Sequence, residues 1–120
     1  MAASEGPLIY FIDQVTPRPG QGELFYRHYM ETYVPAAQAR GLTLQHVWVN
    51  PPMWLEGEQS NTLFMVWSVT GVAGFWGTMA RPESLDGSTG AWWRDSQPMI
   101  ATRSRSVLSD AANLAVLSDV

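Results

Sequence analysis

With 120 residues, 46% hydrophobic and 15% charged, the chain is sized for one domain with a buried core, and its composition excludes a disordered or fibrous class. A net charge of −4, with seven basic residues dispersed along the sequence and only Arg103 and Arg105 close together, argues against nucleic acid or an anionic membrane as partner. The lack of cysteine removes disulfides, zinc–thiolate sites and thiol nucleophiles; no run approaches the ~20 apolar residues of a membrane span, and "MAASEGP" lacks the apolar stretch of a signal peptide, so a cytoplasmic domain is expected.

In chain order, "LIYFIDQV" (Leu8 to Val15) is bulky and β-prone and reads as a buried strand. "TPRPGQG" (Thr16 to Gly22) reads as a turn, because two prolines and two glycines break a ladder. A helix is predicted from about Gln21 to Arg40, stopped by Gly41, with a kink or break near Tyr33 where Pro35 removes a backbone donor. "LTLQHVWV" (Leu42 to Val49) and "NTLFMVWSV" (Asn61 to Val69) are the next strands, joined by a loop over Met53 to Ser60. Thr70 can cap a short helix carrying Val72, Phe75, Trp76 and Met79 on one side, ended by Arg81-Pro82. "AWWRDSQ" (Ala91 to Gln97) gives roughly two further helical turns before Pro98, and Ile100 to Leu108 alternates enough to be a fourth strand. The tail from Ser109 to Val120 reads as helix or extended arm.

The order β-α-β-β-α-β predicts an α+β, ferredoxin-like sandwich: a four-stranded antiparallel sheet with helices on one face, a single domain over residues 1–120 with its core at about 8–108. All four strands read as apolar on both sides. A large apolar face rarely stays bare on a monomer, so two copies are expected to pack sheet on sheet.

These elements also carry a resemblance. Pro19-Gly20 before the first helix, "YVPAAQARG" at its end, then Trp48, Asn61 and "VWSV" (Val66 to Val69), with Trp92 or Trp93 after the second helical region, resemble the NIPSNAP-like branch of the dimeric α/β-barrel superfamily. The resemblance spans about Leu8 to Leu108 and rests on order and spacing. It implies a homodimer with a central barrel and a cleft in each subunit between helices and sheet. Members and relatives include cofactor-free oxygenases on polycyclic phenols, haem-degrading enzymes, isomerases and dehydratases, with no universal catalytic residue to carry across. Where that pattern often has glycine, two residues before the strand tryptophan, this chain has His46.

Two histidines are the candidates for proton transfer, since imidazole titrates near neutrality. His28 falls at the border of the helix's apolar arc of Phe25, Tyr29, Tyr33 and Ala36. His46 is in phase with Leu42, Leu44 and Trp48 and is expected on a buried face, in the cleft or in the barrel interior. Asp13 is a third candidate, either catalytic or paired with Arg103 or Arg105 on the strand expected beside it. Tyr29 could stabilise an oxyanion. Tyr10, Phe25, Tyr33, Trp48, Trp67, Phe75, Trp76 and Trp92 are the expected wall for a planar ligand, with Arg94 to hold a phenolate or carboxylate.

The spacing of Asp13, His28 and His46 matches no metal motif, there is no phosphate-binding glycine loop, and no G-x-S-x-G elbow is present. The expectation is therefore a cofactor-independent lyase or isomerase acting on an aromatic or polycyclic small molecule, without metal. The alternatives are a cofactor-free monooxygenase on a phenol and a non-catalytic small-molecule or haem binder. Histidines bonded to backbone would favour the binder.

Overall fold

The β-prone run that begins at Leu8 forms the middle of an antiparallel sheet in the computed structural model, which describes residues 7–71 and 88–115. The elements are β1 (Leu8–Pro17), α1 (Gly22–His28), a π-helical turn (Tyr29–Tyr33), α2 (Val34–Ala39), β2 (Thr43–Asn50), β3 (Thr62–Thr70), α3 (Ser88–Ser96), a 3₁₀ turn (Gln97–Met99), β4 (Ile100–Ser109) and a second 3₁₀ turn (Ala111–Asn113). The strand order β2-β3-β1-β4, antiparallel throughout, is the ferredoxin-like arrangement predicted from the element order. The predicted helix around Val72 to Met79, with Phe75 and Trp76, lies outside the described residues. Among the described residues no helix is long and apolar enough to cross a membrane.

Register assigns the two sheet faces, because directly paired residues share a face. Phe11 pairs with Trp67 and Val107, and Asp13 with Met65 and Arg105; these point toward the helices. Tyr10, Ile12 and Gln14 pair with Ser68, Val66 and Phe64 on one side and with Leu108, Ser106 and Ser104 on the other; these point away. The core lies between the helices and the first of these faces, where Phe25, Tyr29, Tyr33, Val34 and Ala37 pack on Phe11, Val15, Leu63, Met65 and Trp67.

Three local predictions are corrected. β1 runs through the expected turn as far as Pro17, which the sheet tolerates because a register shift at Thr16/Pro17 removes the need for its missing donor. Pro35 does not break the first helix. The helix widens instead into the π turn, whose last bond runs from the Val34 amide to the Tyr29 carbonyl, and Pro35 then occupies the start of α2. β4 is not apolar on both sides: away from the helices it carries Thr102, Ser104 and Ser106 before Leu108, and toward them Arg103 and Arg105.

The predicted stop at Gly41 holds, with φ of 98°. Gly41 N–H donates to Gln38 O at 3.0 Å and Leu42 N–H to Ala37 O at 3.2 Å, the paired bonds of a Schellman end. At the other end, α1 starts tight against the β2–β3 loop. A Cβ on Gly22 would stand 2.7 Å from Asn61 Oδ1 and 3.2 Å from the Trp54 ring.

Asn61 precedes β3 and ties that loop down. Its buried amide donates to Met53 O at 2.8 Å and Pro51 O at 3.3 Å, and its Oδ1 accepts from Leu55 N–H at 3.0 Å. Asn61→Ala would orphan three backbone groups. Urea unfolding is expected to show a loss of about 1–3 kcal/mol, with the loop becoming the earliest site of proteolysis.

Candidate functional site

Tyr29 and Tyr33 lie on the π turn, four residues apart and so on one face of the helix. Their rings stack at 4.8 Å with 21° between planes. α3 closes on them with two adjacent indoles at right angles, Trp92 and Trp93, whose centroids are 4.9 Å apart. Trp92 meets Phe25, Tyr29 and Tyr33 at 5.9, 5.7 and 5.1 Å, and Trp93 meets Tyr33 at 5.3 Å. From the sheet, Trp67 sets its edge against Tyr33 at 6.0 Å. These six rings are all buried. Centroid separations of 4.5–7 Å in tilted and edge-on poses are the favourable range for aromatic pairs.

The polar tips within this cluster are satisfied in an ordered way. Trp67 Nε1–H donates to the Tyr29 hydroxyl at 2.7 Å. Trp92 Nε1–H donates to Thr32 Oγ1 at 2.5 Å, and that hydroxyl donates onward to the His28 carbonyl at 2.6 Å. Thr32 thus serves the π turn and α3 together. Burial pushes the Tyr29 phenol well above its ordinary range, and the negative charge of Asp13 adds to that, outweighing the Trp67 bond and Arg105, which act in the opposite sense. Tyr29 is consequently a neutral hydroxyl and cannot serve as a base near neutral pH.

Asp13 has 0% exposure, and Arg105 holds both its oxygens: Nε to Oδ1 at 2.7 Å and Nη2 to Oδ2 at 3.0 Å. Nη2 of Arg105 also donates to the Tyr33 hydroxyl at 3.3 Å. The Asp–Arg pairing expected from strand order is therefore present. Burial on its own lowers the Arg105 guanidinium's hold on its proton, but the Asp13 bonds and charge reverse that and raise it well above the ordinary arginine value. Arg103 lies 4.0 Å from Asp13 Oδ1 and is stacked over the Trp93 ring at 3.6 Å. Burial lowers Arg103 from the ordinary arginine value, and the neighbouring Arg105 charge works the same way, against an opposing pull from Asp13.

The structure separates the predicted site residues into two groups. Asp13, Phe25, His28, Tyr29, Tyr33, Trp67 and Trp92 converge on the helix side of the sheet. His28 is half-buried, its imidazole face to face with Trp92 at 4.9 Å and 18°, and no described residue hydrogen-bonds its ring nitrogens. Tyr10, His46 and Trp48 lie on the opposite face, and Phe75 and Trp76 lie outside the described residues. Arg94 is exposed on the turn of α3 that follows the buried tryptophans.

His46 was expected to be buried, in phase with Leu44. A bulge at Gln45 breaks that phase: Leu44 pairs with Trp67 toward the helices, whereas His46 pairs with Val66 on the far side. There it is exposed and stacked on Trp48 at 4.7 Å, itself 54% exposed. Asp13, His28 and His46 therefore cannot share one ion, and among the described residues no three histidine or carboxylate side chains converge. Sequence reading did not single out Trp93 or Thr32, and it named Arg103 only as a possible partner of Asp13; Arg103 and Arg105, two apart on β4, do share the Asp13 face.

No family model matches the sequence, and no curated protein matches it. In structure, the chain is similar to a NIPSNAP family protein of unknown function from Agrobacterium tumefaciens, at 11% identity and a TM-score of 0.59 over 88% of this chain and 89% of that one. Two structures of SnoaB, a cofactor-independent oxygenase from Streptomyces nogalater, match at TM-scores of 0.48 and 0.45, with 16% and 14% identity over 91% of this chain and 98% of theirs. The order β2-β3-β1-β4 and the likeness over most of both chains lead to one conclusion: this protein has the ferredoxin-like α+β fold of the NIPSNAP protein.

Proposed function

We propose that the chain is a cofactor-independent enzyme acting on an aromatic small molecule, a lyase or isomerase in which His28 moves the proton. One observation carries the reading. His28 stands at the edge of the aromatic cluster with its ring braced by Trp92 and its nitrogens unclaimed by any described residue. Being only half-buried, the imidazole needs no protein partner and keeps its nitrogens open to solvent or to a ligand. A general acid/base needs an oriented ring with a nitrogen open to the substrate. The indoles and phenols packed beside it make its surroundings aromatic and apolar, which suits a planar ligand.

Oxygenation of a phenolic substrate is the second reading. His28 meets Trp92 while Arg103 stacks on the neighbouring Trp93, and a phenolate that reacts by its own electron density needs nearby positive charge more than an imidazole. In both readings the protein works as a homodimer. Leu8, Trp48 and Leu108 leave apolar surface exposed on the sheet face away from the helices, and a second copy would cover it. His46 then belongs to that interface.

The test begins with planar phenols and aryl acids, screened by quenching of tryptophan fluorescence, and proceeds to product analysis on those that bind. His28→Gln is expected to lower kcat at least tenfold with little change in binding, in line with the usual 10²–10⁴-fold worth of general acid/base catalysis. His46→Gln is expected to keep kcat and to alter dimer stability in native mass spectrometry. Full turnover by His28→Gln would defeat proton transfer by His28 and leave oxygenation as the reading to pursue.

A further inference from the structure

We propose that Arg103 is the anion-binding residue of this site and that its substrate class is aromatic compounds bearing an ionised oxygen, a carboxylate or phenolate, on the ring. The proposal rests on the reading above that an aromatic ligand occupies the helix side of the sheet.

Two guanidinium groups face one buried carboxylate. Both oxygens of Asp13 are taken by Arg105, so Arg105 and Asp13 together are neutral. Arg103 approaches the same carboxylate no closer than 4.0 Å, beyond hydrogen-bonding range, and no described residue accepts a hydrogen bond from it. One positive charge is therefore left over, with donors unused, in a partly desolvated place.

Nor does Arg103 behave as a surface arginine. Its side chain is only 29% exposed, and its guanidinium lies 3.6 Å from the centroid of the buried Trp93 ring, a contact that fixes the orientation of the fork. Burial and the Arg105 charge both disfavour its protonated form, so an anion arriving here would relieve an existing electrostatic cost.

The neighbours define the ligand further. The Tyr33 hydroxyl accepts from Arg105, and no described residue accepts its proton, so it can donate to the same incoming oxygen. Trp93 under the guanidinium and Tyr33, 5.3 Å from Trp93, make the surroundings of the charge aromatic and apolar. A compact inorganic anion would meet only the arginine, whereas an aryl carboxylate or phenolate brings an apolar ring suited to these aromatic surroundings as well. Because Arg105 is already neutralised, the site is matched to a single negative charge.

The test measures tryptophan quenching by 2-naphthoate and by its neutral isostere 2-naphthamide, on the wild type, Arg103→Gln and Arg103→Lys. Circular dichroism confirms that each variant is folded. The wild type is expected to prefer the acid at least tenfold, with the preference shrinking as salt is raised. Arg103→Gln is expected to abolish the preference without weakening the amide, and Arg103→Lys to keep part of it. A nitrophenol distinguishes the two oxygen sources: binding as the coloured phenolate supports a phenol substrate, and preference for naphthoate alone supports an acid. Equal binding of naphthoate and naphthamide by the wild type, or a preference that survives in Arg103→Gln, overturns the assignment while leaving the aromatic site standing. Absence of quenching by every aromatic compound overturns the aromatic reading and this proposal with it.

Discussion

Asp13→Ala is expected to destabilise the chain by about 3–5 kcal/mol, a large share of the roughly 5–15 kcal/mol that holds an ordinary domain folded. The carboxylate is fully buried on the central strand and accepts two hydrogen bonds from Arg105, with the Arg103 charge 4.0 Å from one oxygen. Removing it leaves two partly buried guanidiniums facing each other with no counter-charge, and it also leaves a small void under Tyr33. Urea denaturation of wild type and variant, read by tryptophan fluorescence, measures the loss directly. The double variant Asp13→Leu/Arg105→Met separates the cause. Most of the stability should return if the penalty lies in the uncompensated charge, since an apolar pair of similar volume often replaces a buried ion pair without loss. A loss below about 1 kcal/mol in Asp13→Ala would mean that solvent reaches the arginines and that the pair contributes little. Both oxygens of Asp13 are committed to the Arg105 fork, whose Nη2 also donates to the Tyr33 hydroxyl. The sequence reading had placed Asp13 among candidate catalytic groups as well.

How much of this was legible depended on whether a pattern was local. The strands announced themselves through bulky β-prone runs, Gly41 announced the helix end, and the order of elements carried the ferredoxin-like topology. From that topology the pairing of Asp13 with an arginine on the neighbouring strand followed, because strand order alone makes them neighbours. The errors came from single-residue insertions that period counting cannot see. Counting by twos from Leu42 put His46 on Leu44's face, and a bulge at Gln45 moved it to the other. The missing donor of Pro35 suggested a kink or break near Tyr33, whereas the helix absorbed the proline by widening over Tyr29–Tyr33. Tyr29 and Tyr33, four residues apart, already share a helix face by the 3.6 period, so their stacking was legible even though the π turn that carries them was not. For Arg103 the sequence left the choice open: either arginine could pair with Asp13, and only the structure shows that Arg105 takes both oxygens.

The other large effect is expected at Trp67. Trp67→Ala should cost about 3–5 kcal/mol, because it removes a fully buried indole from between β1, β2 and the first helix and leaves a cavity that the sheet cannot close. Part of that penalty is polar, and it can be measured separately. Tyr29→Phe deletes only the acceptor of the 2.7 Å bond and strands the indole N–H in the core, for an expected loss of about 1–3 kcal/mol. Trp67→Phe strands the Tyr29 hydroxyl instead. If the bond matters chiefly because neither partner can be left alone, the double variant Trp67→Phe/Tyr29→Phe should be less damaging than the two single losses added together. Additive losses would show that packing accounts for the whole effect. The same hydroxyl gives a pH signature. Its native ionisation is pushed above the ordinary tyrosine value of about 10, so the stability it contributes is fully present below that pH. Above it the unfolded chain gains by releasing a proton that the folded chain must keep, and stability falls as pH rises. Absorbance of the phenolate should therefore show one tyrosine that ionises only as the protein unfolds, and in Tyr29→Phe that late step should vanish. Should it persist, the buried phenol resisting ionisation is not Tyr29, and the polar part of the Trp67 penalty must be sought elsewhere.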